Sequence, residues 1–420
     1  MYNIRKAKLT VLTNKVVRMI NEKMYKLGSE RSQIRELFEY GLARKAEIGE
    51  ENVFDFSLGN PSVPCPDELN EALTELIKSE SSVKLHGYTS AQGDAKTREA
   101  IAEHIRKTQD IAVTKDHIYV TVGAAAALCC ALGAVVSPGE EVILLAPYFP
   151  EYTVFTESSG ATVRAVKCKK DSFEPDVEAI ERAINKSTAA IIINSPNNPT
   201  GAVYSEETVK QLAALMKRKS RELGHPIYLI ADEPYRELVY GGVSVPIIPK
   251  FYDDTIVCYS YSKSLSIPGE RIGYCMVNPT MQGADKVYSA IAGRGRALGY
   301  VCAPSLLQKA LPHLLGMTSD LSIYEENRQL LLTELRKYGY EVTEPHGAFY
   351  MFVKSPTGDG NEFSRMAMRH EILVVPSDSF GYAGYVRLSY CVDKKTIENA
   401  LFAFSSLAKE MGLKGEANEG

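Results

Sequence analysis

The string Ser260-Tyr261-Ser262-Lys263 and the nearby Pro268-Gly269-Glu270-Arg271 place hydroxyls and two cations around a Pro-Gly turn, a combination that can surround a phosphate. A lone Ser-x-Ser-Lys is also a common surface-loop string. Asp232-Glu233-Pro234-Tyr235 offers a carboxylate able to hold a cationic nitrogen, with a phenol three residues later; a plain helix N-cap accounts for Asp232 equally well. In Asn194-Ser195-Pro196-Asn197-Asn198-Pro199-Thr200-Gly201, prolines and a glycine stiffen a turn and leave the Asn amides as oriented donors and acceptors. An ordinary strand-to-helix turn needs no more than this. Gly123-Ala124-Ala125 opens a helix with small residues, so its backbone N–H groups suit an anion; it also reads as a routine helix start.

These four places follow apolar, β-rich runs at 117–122, 189–193, 227–231 and 255–260, with further runs at 141–145, 162–166 and 272–277. Helical stretches at 124–136, 177–184 and 206–223 alternate with them. Several strands are continuously apolar, such as Ile191-Ile192-Ile193, as strands covered by helices on both faces must be. Alternating β and α predicts an α/β domain with a mostly parallel sheet flanked by helices. Ligands in such sheets bind beyond the carboxyl ends of the strands, where the polar strings lie. The texture changes near Pro304, with a helix around 324–338, strands at 347–353, 372–375 and 385–390, and a final helix. This predicts a smaller α+β domain, to which a helix-prone N-terminal arm bearing Ile34, Leu37 and Leu42 would add. The expected division is 1–52 for the arm on the small domain, 53–303 for the large domain, and 304–420 for the small one.

The chain has 420 residues, 45% hydrophobic and 24% charged, with net charge −4. That balance gives no reason to expect nucleic acid or an anionic membrane as partner. The eight cysteines include no C-x-x-C pair and lie near no His cluster, so no metal is expected, and scattered thiols suit a reducing cytoplasm. No segment approaches the roughly 18 apolar residues of a membrane span. The first 21 residues lack acids and carry several Lys and Arg, a composition that organellar leaders share with surface helices.

Taken together and in order, the strings resemble the fold-type I pyridoxal-5′-phosphate (PLP) enzymes, specifically the class I/II aminotransferases of the aspartate aminotransferase family. The resemblance runs from Gly59 to Arg387. Asn-Pro-Thr-Gly is followed by Asp-x-x-Tyr 34 residues after Asn198, Ser-x-Ser-Lys ends 31 beyond Asp232, and an Arg lies eight past Lys263. The resemblance implies that Lys263 forms an aldimine with PLP and then moves protons as acid and base. It implies that Asp232 pairs with the ring nitrogen, and that Tyr235 and Asn198 bind the phenolic oxygen. Ser260, Ser262, Arg271 and the amides of Ala124 and Ala125 would hold the phosphate, and Phe149, rather than neighbouring Tyr148, would stack on the ring. Tyr88 resembles a tyrosine that reaches a phosphate in the partner subunit, which implies a homodimer with shared active sites. Arg387, in Tyr385-Val386-Arg387-Leu388-Ser389, matches the arginine for the substrate α-carboxylate, with Asn198 and the backbone of Gly59 beside it.

One departure concerns specificity. An aspartate-specific bacterial subgroup carries a lysine where this chain has Ala125. A substitute is sought in Gly293-Arg294-Gly295-Arg296, read as a flexible stretch in which Arg294 or Arg296 meets a distal carboxylate. The expected function is transamination between an L-amino acid and a 2-oxo acid, 2-oxoglutarate/glutamate foremost and aspartate as well. A PLP-dependent lyase, decarboxylase or synthase of the same fold is the alternative. A PLP-sensing regulator would need an added DNA-binding module, and only about 50 residues precede the core.

Overall fold

The computed structural model describes residues 20–29 and 33–415; all but the last two positions of the acid-free N-terminal stretch lie outside it. Thirteen strands occur among the described residues: β1 Phe54–Asp55, β2 Ile118–Thr121, β3 Glu141–Ala146, β4 Thr162–Lys167, β5 Thr188–Asn194, β6 Tyr228–Asp232, β7 Thr255–Ser260, β8 Gly273–Val277, β9 Val342–Thr343, β10 Tyr350–Lys354, β11 Ile372–Leu373, β12 Val375–Pro376 and β13 Tyr385–Ser389.

Seven strands form one sheet in the order β2-β8-β7-β6-β5-β3-β4. All run parallel except β8, which is antiparallel to both of its neighbours. Every residue of β5 is buried, as expected of a central strand covered on both faces. Its side chains alternate. Ile191 and Ile193 join the core under helices Ala95–Gln109 and Glu206–Leu223, while Ala190 and Ile192 join the core under helices Ala124–Val135 and Ala284–Leu298. Each fully buried Ile contributes roughly 2–3 kcal/mol, so the alternation holds the register of the sheet. Local signals agree with the packing. The Glu206–Leu223 helix starts at Ser205, whose side chain accepts from the Thr208 amide, and ends at Gly224 in the left-handed region at φ 78°.

The reversed strand matters for function. Because β8 runs against the others, its first residue lies at the same sheet edge as the last residues of β2, β5, β6 and β7. The segment carrying Arg271 therefore returns to the edge that carries Gly123, Asn194, Asp232 and Lys263.

A second sheet, β12-β13-β10-β9, packs with helices Ser322–Lys337, Gly360–Met368 and Lys394–Glu410 to form the smaller α+β part. The N-terminal segment joins it, since β1 pairs in parallel with β11 and Phe56 lies 5.6 Å from the ring of Phe404. Helix Gln33–Ile48 is tied to the same part by Arg44 and Glu371, 2.6 Å apart. The run expected as one strand at 372–375 is instead two short strands, β11 and β12, that serve different sheets. Among the described residues no helix is long and apolar enough to cross a membrane, and no group of His, Cys, Asp and Glu could hold a metal ion.

Candidate active site

The common sheet edge and the smaller sheet enclose a cavity of about 270 Å³. It is lined by Gly59, Ala124, Ala125, Phe149, Asn198, Asp232, Tyr235, Ser260, Ser262, Lys263, Arg271 and Arg387. Of the residues singled out in the sequence, Tyr88, Arg294 and Arg296 do not line it.

Asp232 ends β6 and is 5% exposed. Its Oδ2 accepts a 2.5 Å hydrogen bond from the Tyr152 hydroxyl, whereas its Oδ1 is buried and has no partner. Burial pushes its carboxyl up to about 7, against which the Tyr152 hydrogen bond works. Asn194, at the end of β5, donates to the Asp232 carbonyl and accepts from the Asn198 amide. Asn197 turns inward and accepts from both the amide and the hydroxyl of Thr200, so the turn is closed by its own side chains.

Lys263 lies on the one-turn helix Tyr261–Ser264 after β7. Its Nζ donates to the Gly59 carbonyl at 2.7 Å and stands 5.3 Å over the Phe349 ring. Burial lowers its ammonium to about 8; the nearby charges of Arg271 and Arg387 act in the same direction, and Cys391 acts against them. Ser260 and Ser262 share a 2.7 Å hydroxyl contact. Arg271, in the left-handed region at φ 51°, donates to the Pro268 carbonyl at 2.9 Å and reaches back toward Val122. Its guanidinium lies where a side chain on Gly123 would go: a Cβ there would stand 2.6 Å from Nη2, and Gly123 has φ +87°. Gly123 cannot cap the helix through a side chain, so the first amides of Ala124–Val135 face the cavity without a side-chain acceptor.

Arg387, on β13, is 2% exposed. It donates to the Ser57 carbonyl at 2.5 Å and to Asn198 Oδ1 at 3.1 Å, while its Nε has no partner. Its guanidinium lies between the rings of Tyr350 and Phe380, at 4.6 and 5.2 Å. None of the ion pairs among the described residues involves Arg387, Lys263 or Asp232.

Phe149 faces the cavity and meets Tyr152 edge-on at 5.7 Å. Tyr148 turns away toward Gly381 of the smaller part. Tyr88 is 91% exposed. Arg294 and Arg296 correct the expected flexible stretch, because both belong to helix Ala284–Leu298. Arg294 packs on Gly133, where a Cβ would stand 2.3 Å from its Nε, and Arg296 is exposed.

Sequence reasoning missed Tyr152, Tyr350 and Leu58, and it read Ile34 only as an apolar position of the arm, whereas all four line the cavity. Tyr152 carries a local signal, since it lies three residues after Phe149, in the first turn of the helix Glu151–Ser158. Tyr350 and Ile34 come from distant segments, and no local spacing points to them.

Residues 51–404 match the family described as Aminotransferase class I and II. The chain is 31% identical over 351 residues to a protein named probable aspartate/prephenate aminotransferase from Thermus aquaticus, covering 83% of this chain and 89% of that one. Among solved structures, an amino transferase from Eubacterium rectale is similar with TM-score 0.92 at 52% identity, over 93% of this chain and 99% of that one. Aspartate aminotransferase from Thermus thermophilus with maleate is similar with TM-score 0.81 at 27% identity, over 92% and 99% of the two chains.

Proposed function

The chain belongs to the class I and II aminotransferases, which are PLP-dependent enzymes of the aspartate aminotransferase family, and from that premise we propose which residues do the work and on what substrates. The amino group of an L-amino acid passes to a 2-oxo acid, with 2-oxoglutarate/glutamate as the principal pair and aspartate as a further donor. The name of one relative, probable aspartate/prephenate aminotransferase, supports aspartate as a donor.

The observation that carries the reading is a pair of buried ionisable side chains, each with an unpartnered polar atom, in one cavity with Lys263. Asp232 Oδ1 lacks a cation and Arg387 lacks an acid, and each fits one end of what transamination must hold. The residues present fit PLP. Asp232 takes the ring nitrogen, Phe149 stacks on the ring, and Tyr235 and Asn198 hold the phenolic oxygen. Ser260, Ser262, Arg271 and the open amides at Ala124 and Ala125 hold the phosphate. The bound cofactor supplies an electron-poor conjugated ring that makes a substrate carbon acidic. Lys263 would hold the cofactor through Nζ and would move a proton at that atom. Arg387, with Asn198 and the Gly59 backbone, orients the substrate carboxylate.

The only cations lining the cavity from the described residues are Lys263, Arg271 and Arg387, and all three are committed. A distal carboxylate therefore needs a cation from outside this chain's own cavity, and exposed Arg296 or Arg294 of a second copy is the candidate. The same second copy would supply Tyr88 to the phosphate, in a cytoplasmic homodimer. The chain divides into an arm at 1–52, a large domain at 53–303 and a small domain at 304–420.

A screen of L-amino acids with 2-oxoglutarate as acceptor tests the function. Glutamate should form one-for-one with a new 2-oxo acid. Release of pyruvate and ammonia without glutamate would instead establish a lyase. If Arg294→Ala and Arg296→Ala both leave kcat/KM for dicarboxylates unchanged, neither arginine serves the distal group.

A further inference from the structure

Tyr350, on β10 of the smaller part, is 3% exposed and lines the cavity. Its hydroxyl lies 3.0 Å from that of Tyr235, which sits in the turn after β6 of the large sheet. Its ring lies under the Arg387 guanidinium, and its hydroxyl occupies the space of a Gly59 side chain, where a Cβ would stand 2.0 Å away. One phenol from the smaller part thus touches the residue proposed for the cofactor's phenolic oxygen, the residue proposed for the substrate carboxylate, and the loop between them. The register explains the second contact. Phe352 of β10 faces Arg387 of β13 directly, which makes Tyr350 the diagonal neighbour of Arg387 on the same face.

We propose that Tyr350 is a positioning residue that sets the hydrogen-bond donor strength of Tyr235 toward the cofactor's phenolic oxygen. The proposal rests on the functional reading above. Both phenols stay protonated at neutral pH, because burial pushes Tyr350 up to about 12 and Tyr235 well above the usual tyrosine value. When Tyr235 donates its hydrogen bond to a cavity-side acceptor, its oxygen accepts from the Tyr350 hydroxyl. The hydrogen bonds then run in one direction, and each polarises the next. The Arg387 charge over the ring makes Tyr350 a stronger donor. A stronger Tyr235 donor favours the anionic phenolic oxygen and lowers the proton affinity of the adjacent nitrogen linked to Lys263.

The readout is the pH midpoint of the visible absorbance change of the PLP-loaded enzyme, measured for wild type, Tyr350→Phe, Tyr235→Phe and the double variant. Tyr350→Phe keeps the ring under Arg387 and removes only the hydroxyl, so the protein should stay folded and bind PLP, with a modest loss of stability. Its midpoint should rise by roughly 0.3–1 pH unit. Tyr235→Phe should raise the midpoint further, and adding Tyr350→Phe to it should change nothing more. A Tyr350→Phe midpoint within about 0.1 unit of wild type, or an equal further shift in the Tyr235→Phe background, would overturn the proposal. A wild-type protein with no pH-dependent visible band would overturn the Lys263 assignment instead, so the two failures are distinct.

Discussion

Arg387 and Asp232 each keep one buried polar atom, Nε and Oδ1, without a partner. Leaving such an atom unpaired costs roughly 1–3 kcal/mol, more for a charged group, and here both costs fall in one cavity. Asp232 makes the cost measurable. The folded, cofactor-free protein holds the Asp232 proton up to about pH 7, while the unfolded chain releases it near 3.8. The folded state carries the extra proton between those limits, so this group's contribution to stability falls as pH rises through that window. Asp232→Asn should therefore stabilise the cofactor-free protein at about pH 8 by roughly 1–3 kcal/mol, with the advantage shrinking toward about pH 4. Denaturant unfolding at several pH values checks this, and a pH-independent difference between variant and wild type would count against it. The same variant should bind PLP more weakly, because its amide cannot neutralise a ring cation. For Lys263→Ala, weak PLP binding should persist while the covalent absorbance band disappears and turnover falls by about 10⁴-fold or more. A fully active variant would refute the assignment.

At the scale of elements, the site depends on turns that cannot take other residues. Gly123 combines φ +87° with the close approach of Arg271, so Gly123→Ala adds backbone strain and displaces the guanidinium. PLP affinity should drop roughly 10–100-fold while the Ala124–Val135 helix survives, read by cofactor titration and by circular dichroism. The strand ends show how far local sequence reaches. Continuous apolar runs such as Ile191-Ile192-Ile193 announced buried strands, and the polar residues after them announced the working edge, because both signals lie within a few consecutive residues. The direction of β8 was not announced: a five-residue strand reads the same either way, and only pairing with β2 and β7 decides it. Arg294 and Arg296 misled for a related reason. Three glycines nearby suggested a flexible loop, but packing of Arg294 on Gly133 and burial of Gly295 against Tyr119 hold that segment as helix.

At the scale of the molecule, Tyr88 is the outlier. Its side chain is 91% exposed, and the proposed shared-site homodimer would place it against a second copy. The protein should sediment as a dimer, and Tyr88→Ala should weaken PLP binding several-fold although Tyr88 does not line its own chain's cavity. A monomer that binds PLP at full strength would contradict the shared-site arrangement. The residue types in chain order determined the family resemblance, the α/β class and most of the cavity's polar lining, because those features are written in local spacing and period. Tertiary structure alone decided that Arg387 lies between Tyr350 and Phe380, that Tyr152 grips Asp232, that Tyr350 meets Tyr235, and that Arg294 stays out of its own cavity. Each of those contacts joins segments brought together by sheet order and register, and hydrophobic burial sets these across the whole chain rather than within any window of it.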